Sequence, residues 1–186
     1  SALLFPLNGN IYYYHLATKT AKRLTETIGF ETDVKFAPKG NFVSYIREQK
    51  IYVLHIDSQE ERQLTIDGVG TIKNGMSEFV AQEEMGRMTG YWWSPDEKHI
   101  AFLRVDETPV QTVIRNEIYA EKIELIEQRY PATGTNNVHI QLAVTNIKGK
   151  KIRFIDVGED KDIYIPRVKW LADSKKLSYQ WQSRDQ

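Results

Sequence analysis

The 186-residue sequence contains no cysteine. Without a thiol, it can form no disulfide bond, thiolate nucleophile or zinc site with thiolate ligands. It also lacks any apolar run close to the ~18 consecutive residues that a membrane-spanning helix needs. Its 25 basic residues match its 25 acidic residues, so the formal net charge is zero. This balance argues against nucleic acid, or any other partner that is held by bulk charge.

The sequence also lacks the Gly-x-Ser-x-Gly motif, which forms the nucleophile elbow of α/β-hydrolases. Its four histidines lie in separate contexts, and no serine–histidine–acid triad can be assembled around any of them. We therefore expect no catalytic residue, no metal site and no cofactor in this chain. The one dense basic run, residues 148–153, surrounds a glycine and indicates a solvated hairpin rather than a phosphate-binding patch.

Short segments rich in β-branched and aromatic residues recur along the chain, and polar turns separate them. The predicted strands are residues 11–16, 42–47, 51–56, 99–105, 138–146, 152–156 and 177–181. With 186 residues, 41% of them hydrophobic, the chain is long enough to bury one sizeable core. The sequence therefore predicts a single all-β domain.

Two kinds of internal repeat run through the sequence. Residues 43–65 repeat residues 3–25 at an offset of 40 positions, so that, for example, Ile51 matches Ile11. The other matched pairs are Tyr12 with Tyr52, His15 with His55, Leu24 with Leu64 and Thr25 with Thr65. A second phrase consists of an aromatic residue, a polar turn and a strand, and it starts at Phe36, Trp93 and Trp170. A repeating unit of ~40–50 residues with four short strands is typical of a β-propeller blade.

The repeats divide the chain into successive blades. We predict a part blade at about residues 1–30, a blade at 33–66, an insertion at 67–90, a blade with an inserted arm at 91–160, and the start of another blade at 164–186. Roughly three blades cannot close a ring, because closed propellers have 4–8 blades. We therefore predict a partial β-propeller with four-stranded antiparallel sheets. Its open sheet edges predict self-association of the fragment or contact with a neighbouring part of a longer chain.

The conformation of the inserted arm, residues 112–130, is open from the sequence. Ile114, Ile118, Ile123 and Ile126 fit one face of a helix. The segment is also compatible with extended strands, because aromatic and branched residues recur through it.

The insertion contains two adjacent carboxylates, Glu83 and Glu84, among apolar residues. Such a pair can hold a cation, and the α-ammonium of a peptide, with a pKa near 7.7–8.0, is mostly charged at pH 7. Neighbours on a strand point to opposite faces, whereas neighbours on a helix lie about 100° apart. We therefore expect a helix of about two turns within residues 78–88, ending near Gly86. On the residues alone, a solvated surface pair is the more common explanation.

Residues 75–109, which carry Glu83-Glu84 and then Trp-Trp-Ser-Pro at 92–95, closely resemble the propeller domain of bacterial dipeptidyl peptidase IV. Residues 129–134, Arg-Tyr-Pro-Ala-Thr-Gly, resemble the same family. The motifs occur in the family's order, and the likeness extends along essentially the whole chain.

The resemblance implies about three blades of an eight-bladed propeller, whose parent chain also has an α/β-hydrolase domain with a Ser-Asp-His triad. That domain is absent from this sequence, so we expect the fragment alone to be inactive. Members of the family are serine-type exopeptidases that release N-terminal dipeptides with proline or alanine at the second position. In it, a short helix places the residues matching Glu83 and Glu84 against the substrate's α-ammonium. The resemblance implies peptide N-termini and the hydrolase domain as partners of this chain. It implies a role in substrate recognition and gating. It also implies a periplasmic or membrane-associated location.

One feature of the family cannot be placed. Its members use a propeller arginine to contact a substrate carbonyl, and the corresponding region lies at or before Leu3. Arg87 and Arg104 are near the glutamates in sequence, but Arg104 matches Arg47 in the repeat and is interpreted as structural. Three alternatives stay open: a stand-alone protein-binding propeller, an endopeptidase or acylaminoacyl-peptidase relative, and a structural propeller whose glutamate pair has no role. A serine elbow further along the parent chain would exclude the first.

Overall fold

The computed structural model describes residues 1–185 and contains, within them, eighteen β-strands and one short helix. The strands are β1 (Ala2–Leu7), β2 (Asn10–His15), β3 (Thr20–Arg23), β4 (Thr32–Phe36), β5 (Phe42–Arg47), β6 (Lys50–His55), β7 (Glu61–Gln63), β8 (Ile72–Asn74), β9 (Tyr91–Trp93), β10 (His99–Asp106), β11 (Thr112–Ile118), β12 (Ile123–Arg129), β13 (His139–Asn146), β14 (Ile152–Phe154), β15 (Ile163–Tyr164), β16 (Val168–Trp170), β17 (Leu177–Tyr179) and β18 (Gln182–Ser183). The helix is α1 (Phe79–Glu83). The all-β prediction is confirmed.

The strands form successive antiparallel sheets. The first sheet has the order β1-β2-β3, and the second has the order β4-β5-β6-β7. The third has the order β14-β13-β10, with both β8 and β9 on the free side of β10. At the end of the chain β16 pairs with β17, and β15 pairs with β18. The second sheet is four-stranded, and the third is also four strands wide, with one edge strand in two pieces.

The hydrophobic core lies between the sheets rather than inside any one of them. The first cluster joins the first and second sheets and includes Ile11, Val43 and Tyr45. The second joins the second and third sheets and includes Ile51, Tyr91 and Phe102. The third joins the third sheet to the last strands and includes Leu103, Leu142 and Ile163. Sheets that pack face to face in chain order are the blades of a partial β-propeller.

The 40-residue repeat is visible in the hydrogen bonds. The backbone N–H of Ile11 donates to Thr25 Oγ1 at 2.8 Å, and the N–H of Ile51 donates to Thr65 Oγ1 at 3.0 Å. All four residues are buried, so each threonine satisfies a backbone donor within a blade. The matched positions therefore have the same structural task in successive blades.

The second repeated phrase builds a recurring turn after the first strand of a blade. The same backbone bond closes it three times, from Ala37 N to Phe42 O, from Ser94 N to His99 O and from Leu171 N to Lys176 O, each at 2.9 Å. The left-handed position of the turn is occupied by Gly40, Glu97 and Ser174, with φ of 81°, 63° and 59°. A side chain is strained at such a φ, so Glu97 and Ser174 need a compensating contact.

Glu97 obtains that contact from the preceding blade. Its carboxylate accepts the backbone N–H of Lys39 at 2.5 Å and the side-chain amide of Asn41 at 2.7 Å. The residue is only 4% exposed, so little water competes for these bonds. Glu97 therefore joins the matching turns of two neighbouring blades.

We predict that Glu97→Ala lowers the free energy of unfolding of the full-length protein by about 1–3 kcal/mol, because it removes two part-buried hydrogen bonds from Lys39 and Asn41 to a charged carboxylate. Glu97→Gly is the matched variant: it loses the same bonds but is relieved of the left-handed strain, so it should be less destabilised. Urea denaturation measures both. Wild-type stability in both variants would show that the contact between the turns contributes nothing.

The inserted arm is extended. Strands β11 and β12 form an antiparallel hairpin from Thr112 to Arg129 that pairs with no other sheet of residues 1–185. Ile118 and Ile123 are 76% and 63% exposed, so these residues of the possible helical face point largely to solvent. In the described residues, the model contains no helix that is both long and apolar enough to cross a membrane.

Candidate functional site

The glutamate pair lies on an excursion that interrupts one strand of the third sheet. Strand β8 pairs with one half of β10, and β9 pairs with the other half. Between them, Leu103 accepts a hydrogen bond from Gly75 N at 2.8 Å and donates one to Gly90 O at 2.8 Å. Gly90 N also donates to Gly75 O at 3.1 Å. Residues 76–89 therefore leave the sheet and return to it at a single point, inside the predicted insertion at 67–90.

The closeness of the two ends requires glycine. A Cβ atom on Gly90 would lie 2.4 Å from the carbonyl oxygen of Met76. Gly75 has a φ of 72°, and its Cβ would lie 2.8 Å from the side chain of Ile46 and 2.9 Å from that of Ile51. The two glycines allow the chain to exit and re-enter without opening the sheet.

We predict that Gly90→Ala destabilises the protein by about 1–3 kcal/mol, because the added methyl group overpacks the base of the excursion. The control is Gly29→Ala, whose new Cβ would meet only the flexible side chain of Arg47 at 3.4 Å. Differential scanning calorimetry on both variants makes the comparison. Equal melting temperatures for the two variants would contradict a tight base.

The excursion carries helix α1, which is shorter than expected. The helix has five residues, and Glu84 is its C-cap rather than an interior residue. The chain turns at Gly86, whose φ is 58°, and the N–H of Arg87 donates back to Ala81 O at 2.9 Å. The backbone reverses there because glycine permits the left-handed conformation. The two-turn prediction is therefore wrong in length, although the helical state and the stop near Gly86 are as predicted.

Glu83 and Glu84 lie side by side at the exposed end of this helix. Ala81 is fully buried, whereas both glutamates are exposed. Within residues 1–185 neither carboxylate takes part in an ion pair or a side-chain hydrogen bond. Two adjacent carboxylates without an internal cation create a local negative potential that can attract an external one.

The one arginine of the excursion is not available to them. Arg87 Nη2 donates to both carboxylate oxygens of Glu78, at 2.8 and 2.7 Å. The two side chains are only 3% and 1% exposed. Glu78 therefore neutralises Arg87 in the interior, and the charges of Glu83 and Glu84 remain uncompensated at the surface.

Two other arginines, Arg104 and its repeat counterpart Arg47, are also used internally. Arg104 Nε donates to Asp67 Oδ2 at 2.7 Å, and the matching Arg47 donates to Glu61 at 2.7 Å. Burial favours a raised pKa for Glu61, but its bonds to Arg47 and Tyr45 hold the pKa below its usual value. The substrate-contacting arginine that the resemblance implies has no candidate among these residues.

A polar network anchors the returning end of the excursion to the second blade, and the sequence interpretation missed it. Thr89 Oγ1 donates to Asp33 Oδ2 at 2.5 Å, and Lys35 Nζ donates to Asp33 Oδ2 and to Tyr91 O, both at 3.0 Å. Burial lowers the pKa of Lys35, and Asp33 opposes that shift. Burial also raises the pKa of Tyr91 well above its usual value. Asp33 has a φ of 49° and lies where the register of β4 against β5 shifts, so regular strand alternation does not predict this network from the sequence.

An aromatic contact links the helix to the inserted arm. The rings of Phe79 and Tyr130 meet edge to face, with their centroids 5.1 Å apart. Tyr130 directly follows β12, so the Tyr-Pro element and the glutamate helix, recognised separately in the sequence, are neighbours. A group of metal-binding side chains is not found in the part of the chain that the structure describes.

Comparison with known proteins identifies the family of the chain. Residues 4–186 match the model of the dipeptidyl peptidase IV N-terminal region, and the chain belongs to that family. It is 29% identical over 175 residues to a probable dipeptidyl peptidase 4 of Aspergillus flavus, an alignment covering 87% of this chain and 22% of the relative. It is 32% identical over 162 residues to dipeptidyl aminopeptidase B of Saccharomyces cerevisiae, covering 82% and 20%.

The crystal structure of Porphyromonas gingivalis dipeptidyl peptidase 4 superposes with a TM-score of 0.85 at 28% identity. The superposition covers 94% of this chain and 25% of that one. The chain thus spans about a fifth of the length of these curated relatives and a quarter of the solved structure. It corresponds to part of the N-terminal β-propeller region of the dipeptidyl peptidase IV family.

Proposed function

We propose that this chain is the substrate-recognition part of a serine-type dipeptidyl peptidase, and that Glu83 and Glu84 bind the α-ammonium of the peptide substrate. The parent enzyme releases N-terminal dipeptides with proline or alanine at the second position. Its nucleophile belongs to an α/β-hydrolase domain elsewhere in the same parent chain. The observation that carries the proposal is the pair of adjacent, exposed carboxylates without an internal cation, on an excursion with a fixed base.

The glutamates act by measuring length. A hydrogen bond between an ammonium and a carboxylate is charge-assisted and stronger than a neutral one. Once the amino terminus is anchored, the number of residues between it and the nucleophile is set, and cleavage falls after the second residue. The glutamates break no bond themselves, because their contribution is orientation of the substrate.

The second candidate function is binding of a protein partner, without any part in peptide cleavage. The exposed branched residues of the arm, such as Ile118 and Leu125, favour a protein contact at that position. This reading gives no role to the uncompensated charges of Glu83 and Glu84. It is therefore the weaker candidate for the glutamate helix.

We predict that Glu83→Gln or Glu84→Gln in the full-length protein lowers kcat/KM for a free-amine Gly-Pro chromogenic substrate by roughly 10- to 150-fold. This corresponds to the loss of one hydrogen bond to a charged group, worth about 1.5–3 kcal/mol. Glu159→Gln, at an exposed position between blades, is the matched control and should leave the rate unchanged.

The N-acetylated form of the same substrate separates recognition from folding. The wild-type enzyme should use it poorly, because acetylation removes the positive charge. The glutamine variants should use it about as poorly as the wild type does. If wild type cleaves both forms equally, or the variants match wild type on the free amine, the two glutamates are surface residues without a role.

We also predict that the isolated 186-residue chain self-associates. Its first sheet ends in a strand that leaves Leu3 and Leu7 53% and 51% exposed, and Phe30 is 77% exposed nearby. Unpaired edges and apolar blade faces favour association with another surface. Sedimentation velocity across a concentration series should show species larger than 21.6 kDa. A monomer throughout the series would contradict this prediction.

A further inference from the structure

The ion pair between Glu78 and Arg87 has no assigned role in recognition. It lies inside the excursion, whereas Glu83 and Glu84 lie on its surface. Glu78 is the N-cap of helix α1, and Arg87 follows the turn beyond the end of the helix. The pair therefore closes the chain around the segment that carries the two exposed glutamates.

Arg87 makes three hydrogen bonds within the excursion in addition to its ion pair with Glu78. Its Nη1 donates to Thr89 O at 2.9 Å, and its backbone N–H donates to Ala81 O at 2.9 Å. Its backbone carbonyl accepts the hydroxyl of Ser77 at 2.5 Å. These bonds join the start, the middle and the end of the excursion through one residue.

The excursion has little apolar packing to replace these bonds. Ala81 is its one fully buried hydrophobic side chain in the described structure, and Phe79 is 40% exposed. A buried ion pair gives little stability compared with an apolar pair of the same shape, but it can specify one conformation. Apart from the contact of Phe79 with Tyr130 and the packing of Met76 against the core, the polar bonds are what can define the orientation of the helix.

We propose that Glu78 and Arg87 are positioning residues that hold helix α1 in the orientation in which Glu83 and Glu84 bind a peptide's α-ammonium. This inference depends on the proposed role of Glu83 and Glu84. The pair also keeps opposite charges apart: while Glu78 neutralises Arg87, the guanidinium is not available to the carboxylates on the surface. Without Glu78, the buried guanidinium of Arg87 lacks a counter-ion. The unpaired carboxylates of Glu83 and Glu84, in the same excursion, are then the alternative counter-ions.

The test compares Glu78→Gln, Arg87→Gln and Arg87→Lys in the full-length enzyme. The readout is the ratio of kcat/KM for a free-amine dipeptide substrate to the rate of labelling by a fluorophosphonate probe, which reacts with the active serine and has no amine. Misplacing the amine site should lower this ratio roughly 10- to 100-fold in Glu78→Gln and Arg87→Gln, mainly through KM. Arg87→Lys keeps the charge and should recover most of the ratio.

The possible outcomes separate the two proposals. If Glu83→Gln and Glu84→Gln lower the ratio but the Glu78 and Arg87 variants do not, the positioning role is wrong and the binding role stands. If none of the variants changes the ratio, the binding role fails as well. If probe labelling falls together with peptide turnover, even in Arg87→Lys, the pair serves folding alone and the positioning role is overturned.

Discussion

The backbone of Leu103 bonds both ends of the excursion at residues 76–89, and this pairing lets the third sheet accommodate the insertion. The N–H and carbonyl are satisfied by Gly90 and Gly75, the two ends of the interruption, so neither backbone group of Leu103 is left unpaired. Because both ends meet the same residue, the excursion neither widens the sheet nor shifts the register of β8 and β9 against β10. The position of the glutamate helix relative to the blade follows from this point of attachment together with the contacts of Thr89 with Asp33 and of Phe79 with Tyr130.

The excursion has a buried ion pair in its interior and two exposed carboxylates on its surface. Its buried acid and base, Glu78 and Arg87, neutralise each other, and its exposed acids, Glu83 and Glu84, have no partner in the described residues. A carboxylate in the interior needs a counter-ion, whereas one in solvent does not. The same residue type therefore has a structural task at position 78 and is free for recognition at positions 83 and 84.

The sequence predicted the parts of the fold that repeat. The matched residues Thr25 and Thr65 make the same bond in two successive blades, so similarity of sequence reflects similarity of contacts. The arm could not be resolved from sequence, because its apolar Ile123 and Leu125 are more exposed than the polar Glu124 between them, so the apolar pattern does not follow burial. The Glu78–Arg87 pair was also missed. It depends on the chain reversal at Gly86, which brings Arg87 back to Glu78 at the start of the helix.

The most direct measurement is a crystal structure of the full-length protein, with its serine inactivated, in complex with a peptide that has a free amino terminus. Recognition by the glutamate pair predicts that the ammonium nitrogen lies about 2.7–2.9 Å from a carboxylate oxygen of Glu83 and of Glu84. An ammonium group bound by other residues, with both glutamates still in solvent, would contradict the central claim.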